Sequence, residues 1–293
     1  MITFAIPYYS GADYLVRALK SVLAQQGVAW QAVVCNDGKD DIAELVRDVG
    51  EGRVRYLVNE KNLGMAGNWN RCLEAAETDL VTLLHGDDEL TASYGARMAE
   101  ALGAHPRAAA AYCRYDVIGP ASEPVRSMTD VVKDLIDPAR RGDTVLAGEA
   151  GMRALLRANI IAAPTLCYRK SVLGTRRFPP GHKFVLDWEL TTQILLDGDE
   201  IVGVHDKLFR YRRHPAQATE QLTHAGLRFR EEIDFYERAA DRVARRGWTS
   251  CARVARRMLF TRLHIAYRTA RSAARLDLAD ARAGIALLRE LGA

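Results

Sequence analysis

The sequence lacks the short motifs of the common nucleotide-binding proteins. No GxGxxG follows the first apolar segment, which argues against a dinucleotide-dependent oxidoreductase. No GxxxxGK[ST] is present, which excludes a P-loop, and the HExxH zinc motif is also absent. If the protein binds a phosphorylated ligand, a metal ion or basic side chains must therefore neutralise its negative charge.

Cysteine pairs and long apolar runs are also missing. The five cysteines are odd in number, widely spaced and without a CxxC pair. Most have apolar neighbours, so we expect buried, reduced thiols and a cytoplasmic protein rather than disulfides or a catalytic cysteine. No segment approaches the roughly 18 apolar residues of a membrane span. We expect no signal peptide and no transmembrane segment, and a protein that is soluble or peripherally attached to a membrane surface.

The overall composition is that of a globular protein, but the charge is unevenly distributed. Of 293 residues, 48% are hydrophobic and 27% are charged, and the net charge is +4. Residues 207–293 contain 19 Lys and Arg against 9 Asp and Glu, whereas residues 1–206 contain 22 against 28. An acidic body therefore carries a basic C-terminal part.

The first ninety residues alternate between short apolar segments and amphipathic ones. The first kind predicts strands, and the helical spacing of the second kind predicts helices. We predict strands at 3–6, 31–35, 53–58 and 80–84 and helices at 12–26, 41–48 and 65–77. Pro7 has no backbone N–H and is expected to end the first strand. This repeated order predicts an α/β fold with a doubly wound, mostly parallel sheet.

The carboxyl ends of these strands carry polar and acidic turns. Ligands bind at that edge of a doubly wound sheet, so we expect a crevice there for a nucleotide and a cation. The carboxylate pair Asp87-Asp88 follows a buried strand and a Gly, and Mg²⁺ or Mn²⁺ bound there would complete its coordination with phosphate and water. The alternative is that the pair caps a helix that begins near Thr91.

The remainder of the chain is less regular. Further strands are predicted at 108–118, 164–168 and 200–211, and further helices at 91–103, 149–157 and 187–197. The stretch 119–147 mixes Pro, Gly, Ser and charge, and we interpret it as a mobile excursion. From residue 220 onward the pattern is helical, with arginines opposite one apolar face. That face consists of Cys251, Val254, Met258, Leu259, Leu263, Ala266 and Tyr267.

Several of these segments, taken in order, resemble the blocks of a known family. They are Ile6-Pro7-Tyr8-Tyr9, Leu19-Lys20-Ser21-Val22-Leu23-Ala24-Gln25, Val33-Val34-Cys35-Asn36-Asp37-Gly38, Asn62-Leu63-Gly64, Leu84-His85-Gly86-Asp87-Asp88-Glu89-Leu90, Leu186-Asp187-Trp188-Glu189-Leu190 and Tyr211-Arg212-Arg213-His214-Pro215. The ordered set, across residues 3–215, is similar to family 2 glycosyltransferases of the GT-A fold. The resemblance implies a Rossmann-like fold and an inverting transfer of sugar from a nucleoside diphosphate sugar.

The resemblance assigns the donor site to the ends of the first strands. Pro7, Tyr8 and Tyr9 match the loop that lines the base and ribose, where a tyrosine would stack on the base of a UDP- or dTDP-sugar. Asp37 matches the acid that hydrogen-bonds the base, although an Asx turn would also explain an Asp at this position. Asn62-Leu63-Gly64 matches a turn near the sugar nucleotide. The alternative is that this segment is only the N-terminal turn of a helix.

The metal block departs from the Asp-x-Asp of the family. His85 occupies the position of the first acid and Gly86 the middle position. Asp87 matches the acid that contacts the metal, and Asp88 directly follows it. The resemblance implies that Asp87 binds Mg²⁺ or Mn²⁺, which offsets the charge of the departing diphosphate. It also implies that His85, Gly86 and Asp88 contact the sugar nucleotide.

Two later segments complete the implied site. Asp187 matches the catalytic base of inverting members, which removes the proton of the acceptor hydroxyl. Beside Trp188 its carboxyl is expected to have a raised pKa, and it would also suit the N-cap of a helix over 188–197. Arg212 and His214 follow the last strand. We expect Arg212 on the diphosphate and His214 on the metal, and a solvated basic loop is the alternative.

We therefore predict a nucleotide-sugar-binding and catalytic GT-A domain over residues 1–215 and a basic C-terminal helical region over 216–293. The acceptor is unknown, and a saccharide, a lipid-linked sugar or a small natural product would suit. Three roles are open for the basic helices. They form a cap with solvated arginines, they bind a second copy or the acceptor, or they lie on anionic lipid. Nucleic acid is not an expected partner, because aromatic residues do not alternate with basic ones. A nucleotidyltransferase and a non-catalytic sugar-nucleotide-binding protein are the alternative functions.

Overall fold

The computed structural model describes residues 1–126, 128–215, 217–224 and 226–292. Within these ranges the strands form one nine-stranded sheet. Their bounds are β1 Ile2–Tyr8, β2 Trp30–Asn36, β3 Val54–Val58, β4 Leu80–Leu83, β5 Glu89–Leu90, β6 Ala108–Ile118, β7 Thr144–Leu146, β8 Cys167–Arg169 and β9 Glu200–Arg212. The strand order is β3-β2-β1-β4-β8-β6-β9-β5, and β7 pairs with β9.

Helices cover the sheet and follow it. They are α1 Ala12–Leu23, α2 Ala43–Val49, α3 Gly64–Ala75, α4 Tyr94–Ala104, α5 Met128–Ile136, α6 Gly148–Arg157, α7 Lys170–Leu173, α8 Leu186–Leu196, α9 Ala218–His224, α10 Leu227–Arg245, α11 Thr249–Arg257, α12 Leu259–Ala274 and α13 Leu278–Gly292. Among the described residues, none of the helices combines the length and the apolar character needed to cross a bilayer.

The mostly parallel sheet predicted from the sequence is confirmed. Strands β3, β2, β1 and β4 are parallel neighbours, and β6 is parallel to β9. The central strand shows why both faces are apolar. Phe4 and Ile6 pack in the same buried cluster as Leu15 and Leu19 of α1, whereas Ala5 faces the cluster on the other side of the sheet. Burial on both faces is the rule for strands with helices above and below.

Strand β1 continues past Pro7, contrary to the prediction. Pro7 pairs with Cys35 in the parallel register of β1 and β2, whereas the pairing of β1 with β4 ends at Ala5. The Tyr8 carbonyl accepts a hydrogen bond from the Asp37 amide on the β2 side. The Pro7 nitrogen therefore faces the β4 side, beyond the last pair, where the ladder requires no donor.

The strand predicted at 164–168 begins later than expected. Pro164 lies in a 3-10 turn over Ala163–Thr165, and β8 follows it. Strand β8 runs antiparallel to both of its neighbours, β4 and β6. The parallel order of the sheet is therefore interrupted at its centre.

The stretch 119–147 contains regular structure that its composition did not predict. It includes α5, a 3-10 turn over Pro138–Arg141 and β7, which pairs antiparallel with β9. The Asp137 carboxylate accepts hydrogen bonds from the Ala139 amide at 2.9 Å and from the Tyr112 hydroxyl of β6 at 2.8 Å. These contacts attach the segment to the sheet.

The C-terminal region is helical, as predicted, but its apolar face is not continuous. Met258 has a left-handed backbone with φ of 46°, which separates α11 from α12. Cys251 and Met258 are buried, whereas Leu259, Leu263 and Tyr267 are 55%, 56% and 54% exposed. The single apolar face predicted from the helical repeat therefore ends at residue 258.

Candidate active site

The carboxyl ends of β1, β2 and β4 open into a cleft of about 1410 Å³. The cleft is lined by most of the residues that the sequence assigned to the site. These are Pro7, Tyr8, Tyr9, Asp37, Asn62, Gly64, His85, Gly86, Asp87, Asp187 and His214. Asp88 and Arg212 are fully buried behind its surface. Asp37, Asp87 and Asp187, which are far apart in the sequence, thus face one cavity.

The two tyrosines at the end of β1 have different environments. The Tyr8 ring is buried, and its hydroxyl donates a hydrogen bond to Asp40 Oδ2 at 3.1 Å. Burial and Asp40 raise the pKa of Tyr8 to about 12. Tyr9, in contrast, is 65% exposed. Stacking on a base, which the sequence predicted for either tyrosine, is therefore open to Tyr9 but not to the Tyr8 ring.

A close backbone contact brings the loop after β1 against the turn after β2. A Cβ added at Gly38 would lie 1.9 Å from the carbonyl oxygen of Tyr9. Only a residue without a side chain fits at that distance. Gly38 thus allows Tyr9 and Asp37 to approach the same part of the cleft.

The Asp37 carboxylate organises the turn before α3. Its Oδ1 accepts hydrogen bonds from Asn59 Nδ2 and the Leu63 amide, both at 2.8 Å, and its Oδ2 accepts one from the Gly64 amide at 3.0 Å. Asn62 Nδ2 donates to the backbone carbonyl of Asp37 at 2.9 Å. A carboxylate has about four acceptor positions, so roughly one is left on Oδ2. Asp37 can therefore hold the turn and still accept a hydrogen bond from a ligand.

The loop after β4 contains three side chains that suit a metal ion. One ligand atom each from His85, Asp87 and Asp88 lies within 4.8 Å of the others. Asp88 Oδ1 accepts a hydrogen bond from the Arg212 amide at 2.8 Å, whereas its buried Oδ2 has no hydrogen-bond partner in the described part of the chain. A buried carboxylate oxygen requires a proton or a cation as partner. The set therefore fits a hard divalent cation such as Mg²⁺ or Mn²⁺.

The acids of this loop differ in their pKa. Burial, together with the charge of Asp87, raises the pKa of Asp88 well above its usual value. Burial also favours the neutral form of Asp87, but the hydrogen bond with His214 and the charge of His85 lower its pKa on balance. A divalent cation favours the ionised form of both carboxyls. Because Asp88 lies behind the cleft, the structure does not support its predicted direct contact with the sugar nucleotide.

His214 lies beside the metal loop. Its Nε2 is 3.1 Å from Asp87 Oδ2, and its ring packs on Tyr14 with 4.7 Å between the ring centroids. The His85 ring packs on Trp69 at 5.0 Å. Both imidazoles are thus held by aromatic neighbours next to the acid that the sequence assigned to the metal.

Arg212 does not face the cleft, which corrects its predicted contact with the diphosphate. Its side chain is 0% exposed. The guanidinium donates hydrogen bonds to the Asp87 carbonyl at 2.6 Å and to the Gly119 carbonyl at 2.7 Å. It also donates to the carboxylate of Glu89 and to Ser122 Oγ. Arg212 therefore ties the metal loop to β9 and to the chain after β6.

Asp187 lies in the first turn of α8, whose N-cap is Val185, and not at the N-cap as predicted. The side chain is buried at the cleft wall, where Asn159 Nδ2 donates a hydrogen bond to Oδ2 at 3.3 Å. Burial raises the pKa of Asp187, and Asn159 and Lys133 offset part of the increase. A raised pKa makes the ionised carboxylate a stronger proton acceptor.

Two residues beside Asp187 were not found from the sequence. Lys133 lies on α5, within the stretch interpreted as mobile, and it is half-buried at the cleft wall. Asn159 follows α6, and its buried Oδ1 has no hydrogen-bond partner among the residues described. Neither belongs to a motif. The one signal for Lys133 was a single lysine in a short amphipathic repeat that otherwise contains only acidic charges.

Known proteins can now be compared with this arrangement. The family model described as Glycosyl transferase family 2 matches residues 3–162. The chain belongs to glycosyl transferase family 2. The matched residues contain the strand ends with Asp37 and Asp87 and stop before Asp187 and His214. The second half of the site therefore lies outside the matched residues.

The similarity to a curated relative is confined to one segment. The chain is 35% identical over 100 residues to the succinoglycan biosynthesis protein ExoO of Rhizobium meliloti (strain 1021), which is 34% of this chain and 29% of ExoO. The chain thus spans less than a third of the curated relatives that it matches first.

Solved structures resemble a larger part of the chain. S. aureus TarS 1-349 in complex with UDP-GlcNAc superposes with a TM-score of 0.62 at 17% identity, over 83% of this chain and 66% of that one. The mannosyltransferase PcManGT from Pyrobaculum calidifontis, in complex with GDP-Man and Mn²⁺, has a TM-score of 0.62 at 16% identity, over 99% and 84%. These likenesses confirm the GT-A fold predicted from the sequence.

Proposed function

We propose that the protein is an inverting, metal-assisted glycosyltransferase. It transfers a sugar from a nucleoside diphosphate sugar to a hydroxyl or amine of an acceptor. The observation that carries the proposal is the single cleft lined by Asp37, Asp87 and Asp187. The family match over residues 3–162 supports sugar transfer.

The donor is assigned to the strand ends. The exposed ring of Tyr9 is available to stack on a base, and the free acceptor position of Asp37 suits a ring N–H such as that of uracil or thymine. We therefore propose a UDP- or dTDP-sugar as donor. The similar structures are complexes with UDP-GlcNAc and GDP-Man, and guanine also has a ring N–H, so GDP-sugars belong in the same test.

A divalent cation is assigned to the loop after β4. Asp87 would hold it, and His85, Asp88 and His214 surround the position. When bound, the cation neutralises the negative charge that develops on the departing diphosphate. Mg²⁺ and Mn²⁺ both suit carboxylate and phosphate oxygens. The Mn²⁺ in the PcManGT complex supports this assignment, as does Asp88 Oδ2, which has no hydrogen-bond partner among the described residues.

Asp187 is the general base in this proposal. Its carboxylate takes the proton of the acceptor hydroxyl as the acceptor oxygen forms a bond to the anomeric carbon. The bond between that carbon and the diphosphate oxygen breaks, and its electron pair leaves with the nucleoside diphosphate. Attack and departure on opposite sides of the carbon invert its configuration. Asn159 holds Oδ2 at 3.3 Å, which leaves Oδ1 for the proton.

We also propose that the protein works in the cytoplasm at a membrane surface. Its five cysteines are buried free thiols, as in proteins of reducing compartments. Helix α12 carries an exposed stripe of Leu259, Leu263, Ala266, Tyr267, Ala270 and Ala274 beside arginines. Such a stripe suits the boundary of an anionic bilayer. The wild type should float with phosphatidylglycerol vesicles, and L259Q/L263Q should not. If the wild type is instead a dimer in analytical ultracentrifugation and does not float, a second copy of the chain covers this stripe.

The decisive experiment measures release of nucleoside diphosphate. Wild-type protein with Mn²⁺ or Mg²⁺ is incubated with UDP-, dTDP- and GDP-sugars, and D187N is compared with D197N. Asp197 follows the same helix, lies outside the cleft and pairs with Arg176 at 2.8 Å. We expect release by the wild type and D197N and a loss of roughly a hundredfold or more in D187N.

The outcomes also separate the alternative functions. Release of inorganic pyrophosphate from a nucleoside triphosphate and a sugar 1-phosphate, without release of nucleoside diphosphate from the sugar nucleotides, would indicate a nucleotidyltransferase. Binding of a sugar nucleotide without any release, in the wild type and in D187N alike, with water and with added sugar acceptors to take the sugar, would indicate a non-catalytic binding protein. Either result would overturn the proposal.

A further inference from the structure

The positive charge of the cleft is confined to the later segments of the chain. Among the described residues that line the cleft, those before residue 120 include no Lys or Arg. After residue 120 the lining contains eight Lys and Arg against five Asp and Glu. The eight are Arg126, Lys133, Lys183, Arg213, Arg228, Arg268, Arg271 and Arg275. The donor end of the cleft is therefore acidic, whereas the basic side chains that line the cleft come from segments after residue 120.

Only part of this positive charge is neutralised within the protein. Three arginines form ion pairs with carboxylates. The pairs are Arg213–Asp130 at 2.9 Å, Arg228–Glu232 at 2.8 Å and Arg268–Asp280 at 3.0 Å. In the part of the chain that the structure describes, the side chains of the other five form no hydrogen bond or ion pair with a carboxylate. Uncompensated cations on a concave surface attract an anion.

Three arginines of α12 share one face of that helix. Arg268, Arg271 and Arg275 are spaced by three and four residues, and all three line the cleft. Side chains at this spacing are neighbours on a helix surface. Arginine forks of this kind match the oxygen atoms of phosphate groups. We call Lys133, Arg228, Arg268, Arg271 and Arg275 the basic end of the cleft.

The titration of two neighbours reflects the local positive field. Burial lowers the pKa of His264 to about 4; Arg228, Lys133 and Arg268 add to the decrease, and Glu232 opposes it. Burial also lowers the pKa of Lys133, where Arg228 and Arg213 oppose the effects of Asp130 and Asp187. The basic end is thus close enough to Asp187 for its charges to interact with the proposed base.

We propose that the basic end of the cleft binds a phosphate or diphosphate group that the acceptor carries. The inference rests on the proposed function, because it takes Asp187 as the base that meets the acceptor. An anion held near Lys133 places the acceptor on the side of Asp187. The donor diphosphate is held at the other end, where Asp87 and its cation neutralise it. The acceptor class is therefore a phosphorylated sugar or a sugar linked through a diphosphate.

Inorganic pyrophosphate is the probe for this site. Its binding is measured by isothermal titration calorimetry in EDTA, which removes the cation that would attach it to Asp87. The test variant is R271Q/R275Q, which removes two exposed, unpaired charges four residues apart. The matched control is R253Q/R257Q on α11, which removes two exposed charges at the same spacing and outside the cleft. Binding of UDP and GDP with Mn²⁺ is measured on all three proteins.

We expect pyrophosphate to bind the wild type and the control equally and to bind R271Q/R275Q about tenfold more weakly, because two exposed charges together contribute on the order of one factor of ten. Nucleotide binding should be the same in all three. The proposal is wrong if pyrophosphate does not bind in EDTA or if the two double variants behave alike. A parallel loss of nucleotide binding in R271Q/R275Q would assign these arginines to the donor instead. If no nucleotide binds any of the proteins while the pyrophosphate result holds, the proposed function fails and the anion site stands.

Discussion

The burial of Arg212 leads to a testable prediction about stability. The sequence predicted that this residue binds the ligand, whereas in the structure it stabilises the fold. Its guanidinium satisfies the carbonyls of Asp87 and Gly119 and pairs with the carboxylate of Glu89. Replacing it by Gln in R212Q leaves a partly buried acid and backbone acceptors without their cation. Breaking a buried ion pair in this way costs about 3 to 5 kcal/mol of unfolding free energy.

Arg210 is the natural control for this variant. It lies two residues earlier on β9, and its Nη1 is 3.7 Å from the same Glu89 carboxylate, but its side chain is 54% exposed. An exposed pair contributes at most about 1 kcal/mol, so R210Q should be close to the wild type. R212K keeps the charge but cannot reach several acceptors at once, and its stability should fall between the two.

Thermal unfolding followed by circular dichroism checks this order. At about 2 to 4 °C for each kcal/mol, R212Q should lose roughly 10 °C in Tm, whereas R210Q should lose no more than a few degrees. If R212Q is as stable as R210Q and instead loses only its affinity for nucleotide, the guanidinium contacts ligand and our description of its role is refuted.

Three further predictions concern the cleft itself. Burial raises the pKa of Asp187, so the native state keeps this proton to higher pH than the unfolded chain and loses stability as pH rises through the raised pKa. D187N should therefore lose activity yet have a Tm at least equal to that of the wild type at pH 8. The difference in Tm between the two proteins should decrease toward pH 4. A Tm of D187N below that of the wild type at pH 8 would contradict the predicted direction of the pH dependence. The wild-type kcat/KM should fall on the acid side through that same pKa. EDTA and D87N should each reduce nucleoside diphosphate release by about a hundredfold, with Mn²⁺ restoring the EDTA-treated wild type only, and full activity in EDTA would exclude the assigned metal. Y9A should raise the donor KM by about tenfold with little change in kcat, and Y9F should restore the wild-type KM, because Phe keeps the ring that stacks. An unchanged KM in Y9A would refute stacking by Tyr9.

The strand ends were predictable because they depend on local pattern. Short apolar strands alternating with amphipathic helices specify a parallel sheet, and the carboxyl ends of its strands meet at one edge. Asp37 and Asp87 follow directly from that rule. Asp187 was assigned through the resemblance, since nothing in its own surroundings distinguishes a base from a residue of a first helical turn.

Arg212 was misassigned because a strand alternates its side chains between two faces. Tyr211 and Arg213 line the cleft, so Arg212 between them must point to the opposite face. The alternation can be read from the sequence. The sequence does not show, however, that the loop after β6 packs over the opposite face and buries Arg212. Lys133 was missed for a related reason, because contacts between residues far apart in the sequence hold its segment against the sheet, such as the pairing of β7 with β9 and the hydrogen bond from Tyr112 to Asp137.

The helices after residue 220 show where periodicity alone fails. An apolar repeat from Cys251 to Tyr267 predicts one buried face, but the left-handed Met258 breaks it in two. The half before the break is buried, and the half after it is exposed. One residue with an uncommon backbone angle, which no pattern of hydrophobicity encodes, decides which surface of α12 meets solvent.

The contact between the Asp88 carboxylate and the Arg212 amide joins residues 124 positions apart. A ribosome that adds about 5 to 20 residues per second exposes the acidic loop roughly ten seconds before the arginine that fastens it. During synthesis strands β1 to β4 and the residues that match the family are complete before the arginine that fastens the loop is added. A truncated chain that ends with the matched residues will contain His85, Asp87 and Asp88 but lack the Arg212 amide that holds the Asp88 carboxylate in place.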